Sequence, residues 1–285
     1  MYQDTGFSRN KIDKFYTSES TVQICINHFK EYVQTDSNDL VIEPSAGNGA
    51  FIQSIKEITS NYMFYDLQPE HNDIIQQDFL MLNPHYSDLN FNKIHLLGNP
   101  PFGHRCSTAI KFIKKASKFC DTISFILPRS FKKDYYKKSV PLNFHLILEI
   151  DLPSYSFLVN EEPYDVPCVF QIWEQRATHR YVEKLKPIGF EFVKKNDNPH
   201  ISFRRKGWKD IGLIEKQISH KESSSYYIRF TNKLSIDDNI KKLQYIQFDH
   251  NNVITSKSIS KNELIAKFNL LLSNSTTPLF EANVA

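Results

Sequence analysis

Apolar residues recur along the first 175 positions in two periods that alternate. Val22, Cys25, Ile26, Phe29 and Val33 fall at helical spacing behind Ser18, a candidate N-cap, and Asp36-Ser37-Asn38-Asp39 breaks that helix. Short apolar runs follow as strands: Leu40-Val41-Ile42, Tyr62 to Tyr65, Ile74 to Gln77, and Ile94 to Gly98. Further strands are predicted at Thr122 to Leu127, Leu146 to Ile150 and Val169 to Trp173. A helix begins near Ala50, an amphipathic helix is predicted over Gly103 to Cys120, and a Lys-rich helix contains Lys132, Lys133, Lys137 and Lys138. Alternating strands and helices argue for an α/β doubly wound, Rossmann-like sheet. The last two strands lack an intervening helix, which predicts an antiparallel strand near one edge.

The texture changes after Gln175. Residues 177–285 mix strand-like pieces (Ile188 to Val193, Ile201 to Arg204, Tyr226 to Phe230, Leu243 to Phe248) with basic patches and a closing helix, Asn262 to Leu272. This reads as a smaller C-terminal α+β appendage. The first dozen residues and the last ten are expected to be loose.

Composition sharpens this division. The net charge of +3 conceals 17 Lys+Arg against 21 Asp+Glu in residues 1–176, and 18 against 11 in residues 177–285. A basic back half suits a polyanion such as nucleic acid; a solvated Lys-rich surface accounts equally for any single charge but less well for the whole imbalance. Cations interleave with rings at Arg204-Arg205-Lys206 beside Trp208, and at Tyr226-Tyr227 beside Arg229. A small half-buried sheet whose rings are core explains the same pattern. Cys25, Cys106, Cys120 and Cys168 are scattered, and the ten histidines show no metal-ligand spacing. That argues against a disulfide framework or a metal site. No apolar run approaches a membrane span and no signal peptide is evident, so an intracellular protein, cytoplasmic or nuclear, is expected.

Four stretches carry candidate chemistry. Glu43-Pro44-Ser45-Ala46-Gly47-Asn48-Gly49 places two of only eight glycines between a strand and a helix, where backbone can approach a ligand. It lacks the third glycine of a dinucleotide fingerprint, and Glu43 can face a cationic group. Asp66 lies some twenty residues on, at a strand end, where a carboxylate accepts ribose hydroxyls. Asp78 could accept from an adenine amine while Phe79 packs on the ring. Asn99-Pro100-Pro101-Phe102 offers a carboxamide oxygen and a stiff main-chain carbonyl to the two hydrogens of an exocyclic amine, with Phe102 as a stacking surface. The ordinary alternative is a Pro-Pro corner with a core Phe.

The order and separation of Glu43 to Gly49 and Asn99 to Phe102, over roughly residues 14–175, resemble the class I S-adenosylmethionine-dependent methyltransferases that modify adenine N6. Lys14-Phe15-Tyr16-Thr17 is similar to the short upstream segment that closes over the methionine end of the cofactor. The resemblance implies a methyltransferase domain at 14–176 and a basic, substrate-recognising domain at 177–285. It implies S-adenosyl-L-methionine as cofactor, with Gly47 and Gly49 at its backbone and Glu43 and Ala46 near its amino-acid end. Asp66 and Leu67 would meet the ribose, Asp78 and Phe79 the adenine, and Tyr16 and Thr17 the methionine. Asn99, Pro100, Pro101 and Phe102 would hold the target base. Phe157 is the candidate opposite stacking wall, with Tyr155 as an alternative, and Arg204, Arg205 and Trp208 would meet nucleic acid. DNA is the favoured substrate. RNA, a protein glutamine amide and a catalytically silent nucleic-acid-binding subunit remain alternatives, and a partner subunit stays open.

Overall fold

The computed structural model describes residues 15–83, 90–207, 210–218, 221–244, 246–248 and 257–272. Trp208, the first dozen residues and the last ten, for which expectations were stated, lie outside the described residues. The chain divides into two compact units, Met1–Val182 and Glu183–Ala285.

Among the described residues of the first unit are ten strands: β1 (Tyr16–Thr17), β2 (Leu40–Glu43), β3 (Tyr62–Asp66), β4 (Ile75–Gln76), β5 (Ile94–Gly98), β6 (Thr122–Pro128), β7 (Phe144–Asp151), β8 (Phe157–Val159), β9 (Glu162–Tyr164) and β10 (Cys168–Gln175). Seven of them form one sheet in the order β4-β3-β2-β5-β6-β10-β7. β2 pairs parallel with β3 and β5, and β5 with β6, whereas β10 runs antiparallel to both β6 and β7. This is a doubly wound, Rossmann-like sheet, and the predicted antiparallel strand lies one position in from the edge.

Period-two alternation sends side chains to two cores. Leu40, Ile42, Leu96, Ile123, Phe125 and Leu127 pack on one face with Ala109, Phe112, Ile113 and Ala116 of α3 (Ser107–Ala116). Val41, Leu97 and Ile126 face the other, against Val22, Cys25, Ile26 and Phe29 of α1 (Glu19–Tyr32) and Ile52 and Ile55 of α2 (Ile52–Lys56). Each buried Val, Leu, Ile or Phe among them contributes roughly 1.5–3 kcal/mol. All four cysteines are buried free thiols inside this unit.

Some predicted elements are shorter. The helix expected from Gly103 starts only at Ser107, because Gly103, Arg105 and Cys106 have positive φ (67°, 51° and 62°) and the Phe102 carbonyl instead receives the N–H groups of Thr108 and Ala109. The Lys-rich helix reduces to a 3-10 turn and α4 (Asp134–Lys137). Ser18 sits at the cap position of α1, but its hydroxyl donates to Thr21 Oγ1 at 2.9 Å and caps no backbone amide.

The second unit holds β11 (Phe190–Val193), β12 (Ile201–Arg204), β13 (Lys206–Gly207), β14 (Ile214–Glu215), β15 (Ser225–Phe230) and β16 (Lys257–Ser258). Four form the sheet β11-β15-β12-β14, whose inner residues Phe190, Ile201, Phe203 and Ile228 pack on α6 (Lys261–Leu272) through Leu264, Ile265 and Phe268. A reciprocal capping box opens α6: Glu263 N–H donates to Ser260 Oγ, and Ser260 N–H to Glu263 Oε2. The strand expected at Leu243 to Phe248 is corrected. Leu243 ends a helix, α5 (Ile236–Leu243), started by the Ser235 hydroxyl accepting from Asp238 N–H at 3.1 Å. No described helix is long and apolar enough to cross a membrane.

Candidate active site

The carboxyl ends of β2, β3 and β5 converge on one edge of the sheet, the edge at which open α/β sheets take ligands. From β2 the chain turns through Gly47 and Gly49, both with positive φ (55° and 86°). A Cβ on Gly49 would come within 2.7 Å of Ile52 Cδ1, so only glycine fits without displacement. The Gly47 N–H donates to Asp66 Oδ2 at 2.8 Å, and the Gln68 N–H to Asp66 Oδ1 at 2.8 Å. Asp66 therefore braces the loop from the end of β3. Ala46 is buried, and its N–H donates to the Tyr65 carbonyl at 2.8 Å.

Glu43 is 2% exposed and its Oε2 has no hydrogen-bond partner among the described residues. Burial first, and then the nearby charge of Asp66, push its carboxyl well above the usual range. Gly98 makes room for it, since a Cβ there would stand 2.9 Å from Glu43 Cγ. An unpaired buried carboxyl is costly and suits a cationic partner.

Asn99 follows Gly98 at the end of β5. Its carboxamide nitrogen donates to the Phe15 carbonyl at 3.1 Å, and its main-chain carbonyl accepts from Ser45 Oγ at 3.2 Å. The glycine loop, the segment ahead of α1 and Asn99 are thus joined directly. Asn99 Oδ1 is buried and accepts from no described residue. Pro100 is buried, and the half-buried Phe102 meets Phe157 edge-on at 6.5 Å.

β1 carries Tyr16 and Thr17 beside β8, with Tyr16 opposite Leu158 and Thr17 opposite Phe157. The Tyr16 ring lies over Gly47, 3.6 Å from where a Cβ would be. Its hydroxyl donates to Glu70 at 2.7 Å, and the Glu70 N–H donates to the Gly47 carbonyl at 3.1 Å. Leu67 is exposed, and Asp78 Oδ1 accepts from Leu80 N–H at 2.8 Å.

Two expected stacking rings are spent elsewhere. The Phe79 ring is 1% exposed and stacks on Phe112 at 5.2 Å, so it belongs to the core and cannot pack on an adenine. The Phe157 ring is fully buried between Phe15 and Phe102, because pairing of β8 with β1 turns it inward, so it cannot form an open wall. Tyr155 is exposed, with φ 61°. In the second unit, Arg205 covers the Tyr226 ring at 5.0 Å and donates to the Ser223 carbonyl, while Arg204 ends β12 half-buried.

Sequence reasoning placed Phe15 in the upstream segment but gave it no role of its own, because its contribution is a main-chain oxygen and leaves no side-chain signal. It gave Ser45 no role within its loop and missed Glu70 altogether, since the partners of both are distant in sequence.

No protein-family model and no curated protein matches the chain. Solved structures resemble it in part. A protein provisionally described as an RNA methyltransferase from Pyrococcus horikoshii is 12% identical, with a TM-score of 0.44 over 57% of this chain and 87% of that one. The modification subunit of a provisionally described type I restriction enzyme from Vibrio vulnificus is 14% identical, with a TM-score of 0.44 over 57% of this chain and 44% of that one. The 23S rRNA methyltransferase ErmE is 15% identical, with a TM-score of 0.42 over 58% of this chain and 71% of that one. At these values the strand order itself, rather than the likenesses, defines the fold.

Proposed function

We propose that the chain is an S-adenosylmethionine-dependent methyltransferase acting on the exocyclic N6 amine of adenine in DNA. The observation that carries this reading is Asn99: its amide nitrogen is bonded to Phe15, which leaves a buried, unpaired acceptor oxygen beside the glycine loop. An acceptor already stripped of water makes a stronger bond to a hydrogen that gains positive charge.

The cofactor suits the residues present. The unpaired Glu43 carboxyl suits a cationic amino group, and the glycine loop around Ala46, Gly47 and Gly49 leaves its backbone approachable. Asp66 with Leu67 would hold the ribose, Asp78 the adenine amine, and Tyr16 and Thr17 the methionine end. When bound, S-adenosylmethionine supplies a methyl group on positively charged sulfur. Asn99 Oδ1 and the Pro100 carbonyl would accept the two N6 hydrogens, favour a pyramidal nitrogen and hold the positive charge that develops there. Phe102 would position the base, and Pro101 stiffens the loop. An adenine in a duplex must first leave the stack. The basic residues 177–285, Arg204 and Arg205 among them, would meet the polyanion.

The test is transfer of labelled methyl to matched double-stranded DNA, single-stranded DNA and RNA, with digestion to nucleosides and mass identification. N6-methyladenine in DNA is expected. Label in RNA alone, or none in any polymer while cofactor binds, would overturn the DNA assignment.

A further inference from the structure

We infer that Tyr164 is a positioning residue for Asn99, acting through Phe15. This rests on the reading above, in which Asn99 Oδ1 is the acceptor. A carboxamide has two ends, and turning it over would present hydrogens to the hydrogens of the amine. What fixes the orientation is the Phe15 carbonyl, which can only accept and so holds the nitrogen, at 3.1 Å.

That carbonyl lies one residue outside β1, a ladder of only two pairs, too short to hold a neighbour in place by itself. Side-chain rings supply the hold. Phe15 stacks on Tyr164 at 5.6 Å and 28°, and meets Phe157 edge-on at 6.2 Å. Tyr164 and Phe157 are direct cross-strand partners in the β8–β9 hairpin, so the two rings are set side by side to grip Phe15. Positive φ at Asn160 (51°) and Glu161 (65°) matches the tight turn that pins this register. Phe157 is also part of the core and carries Phe102. Tyr164 is 39% exposed on the outer strand, so its ring can be removed without opening a core cavity.

The experiment uses the full chain labelled with 15N-asparagine, carrying Tyr164→Ala or Tyr164→Phe. The Asn99 side-chain NH2 signal is assigned by its loss in Asn99→Ala. In Tyr164→Ala that signal should shift and exchange with solvent about tenfold faster, and kcat should fall about tenfold with a smaller change in the KM for methyl donor. Tyr164→Phe should restore both, and Tyr164→Ala should cost nothing further in an Asn99→Ala background. An unchanged NH2 signal in Tyr164→Ala, equal loss in Tyr164→Phe, or a further loss of rate in the Asn99→Ala background would overturn the inference. If the wild type methylates nothing, the proposed function fails, and the NH2 signal alone still decides the role of Tyr164.

Discussion

Asp66 Oδ2 accepts the main-chain N–H of Gly47 at 2.8 Å, bridging the end of β3 to the loop after β2. The same carboxylate takes the Gln68 N–H on its other oxygen. The residue proposed to hold the ribose therefore also braces the loop. Asp66→Ala should destabilise the first unit by roughly 1–3 kcal/mol in urea unfolding. Calorimetry should show weaker S-adenosylmethionine binding, and unchanged affinity would confine Asp66 to a structural role.

Asn99→Ala removes a buried acceptor that has no partner before substrate arrives. Methyl transfer should slow by about 10²–10³-fold. Loss of the amide hydrogen bond to the Phe15 carbonyl should lower stability by about 1 kcal/mol, and cofactor affinity should change far less than the rate. Full activity in this variant would reject Asn99 as the amine acceptor.

Glu43 makes stability and binding oppose one another. Its folded carboxyl holds its proton well above the usual range, chiefly through burial and then through Asp66. The unfolded chain loses that proton near pH 4.5, so stability falls as pH rises above that value. Glu43→Gln should abolish this decline, leaving the cofactor-free protein more stable than wild type at pH 7 while binding cofactor less tightly. Thermal melts from pH 5 to 8 with matched calorimetry test both halves.

At the opposite end of the sheet, His95 is buried with Nε2 3.2 Å from Asp39 Oδ2 and Nδ1 2.8 Å from Thr122 Oγ1. Burial holds its pKa below the ordinary 6.5, against the pull of Asp39. The unfolded chain takes up the proton first on acidification. This contribution is therefore complete above about pH 6.5 and is lost as pH falls through the folded-state value. Between pH 7 and 5 this contribution opposes that of Glu43, so it is read in a Glu43→Gln background: there the melting temperature should drop on acidification, and adding His95→Gln should flatten that slope.

Arg204 and Arg205 separate a polyanion surface from an internal packing role. Neutralising both should weaken DNA binding and reduce the slope of log affinity against log salt by roughly 1–2. An unchanged slope, with lowered stability, would assign Arg205 to its contact with Tyr226 alone.

Local pattern carried much of this protein. The alternation in Leu40 to Ile42 and Thr122 to Leu127 appears in the structure as strands feeding two cores, because strand periodicity belongs to neighbouring residues. Glu43 to Gly49 and Asn99 to Phe102 were legible as candidate loops for the same reason: their side chains and the strands before them are contiguous. Tertiary structure decided where the rings went. Phe79 and Phe157 stood in sequence as candidate ligand-facing rings, and only the packing of Phe112 and β1 against them shows them to be core. Above all, the orientation of Asn99 depends on a main-chain oxygen 84 positions away, which no side-chain type announces. Periodicity is set over a few bonds of chain, whereas a hydrogen bond between distant segments exists only once the sheet has brought them together.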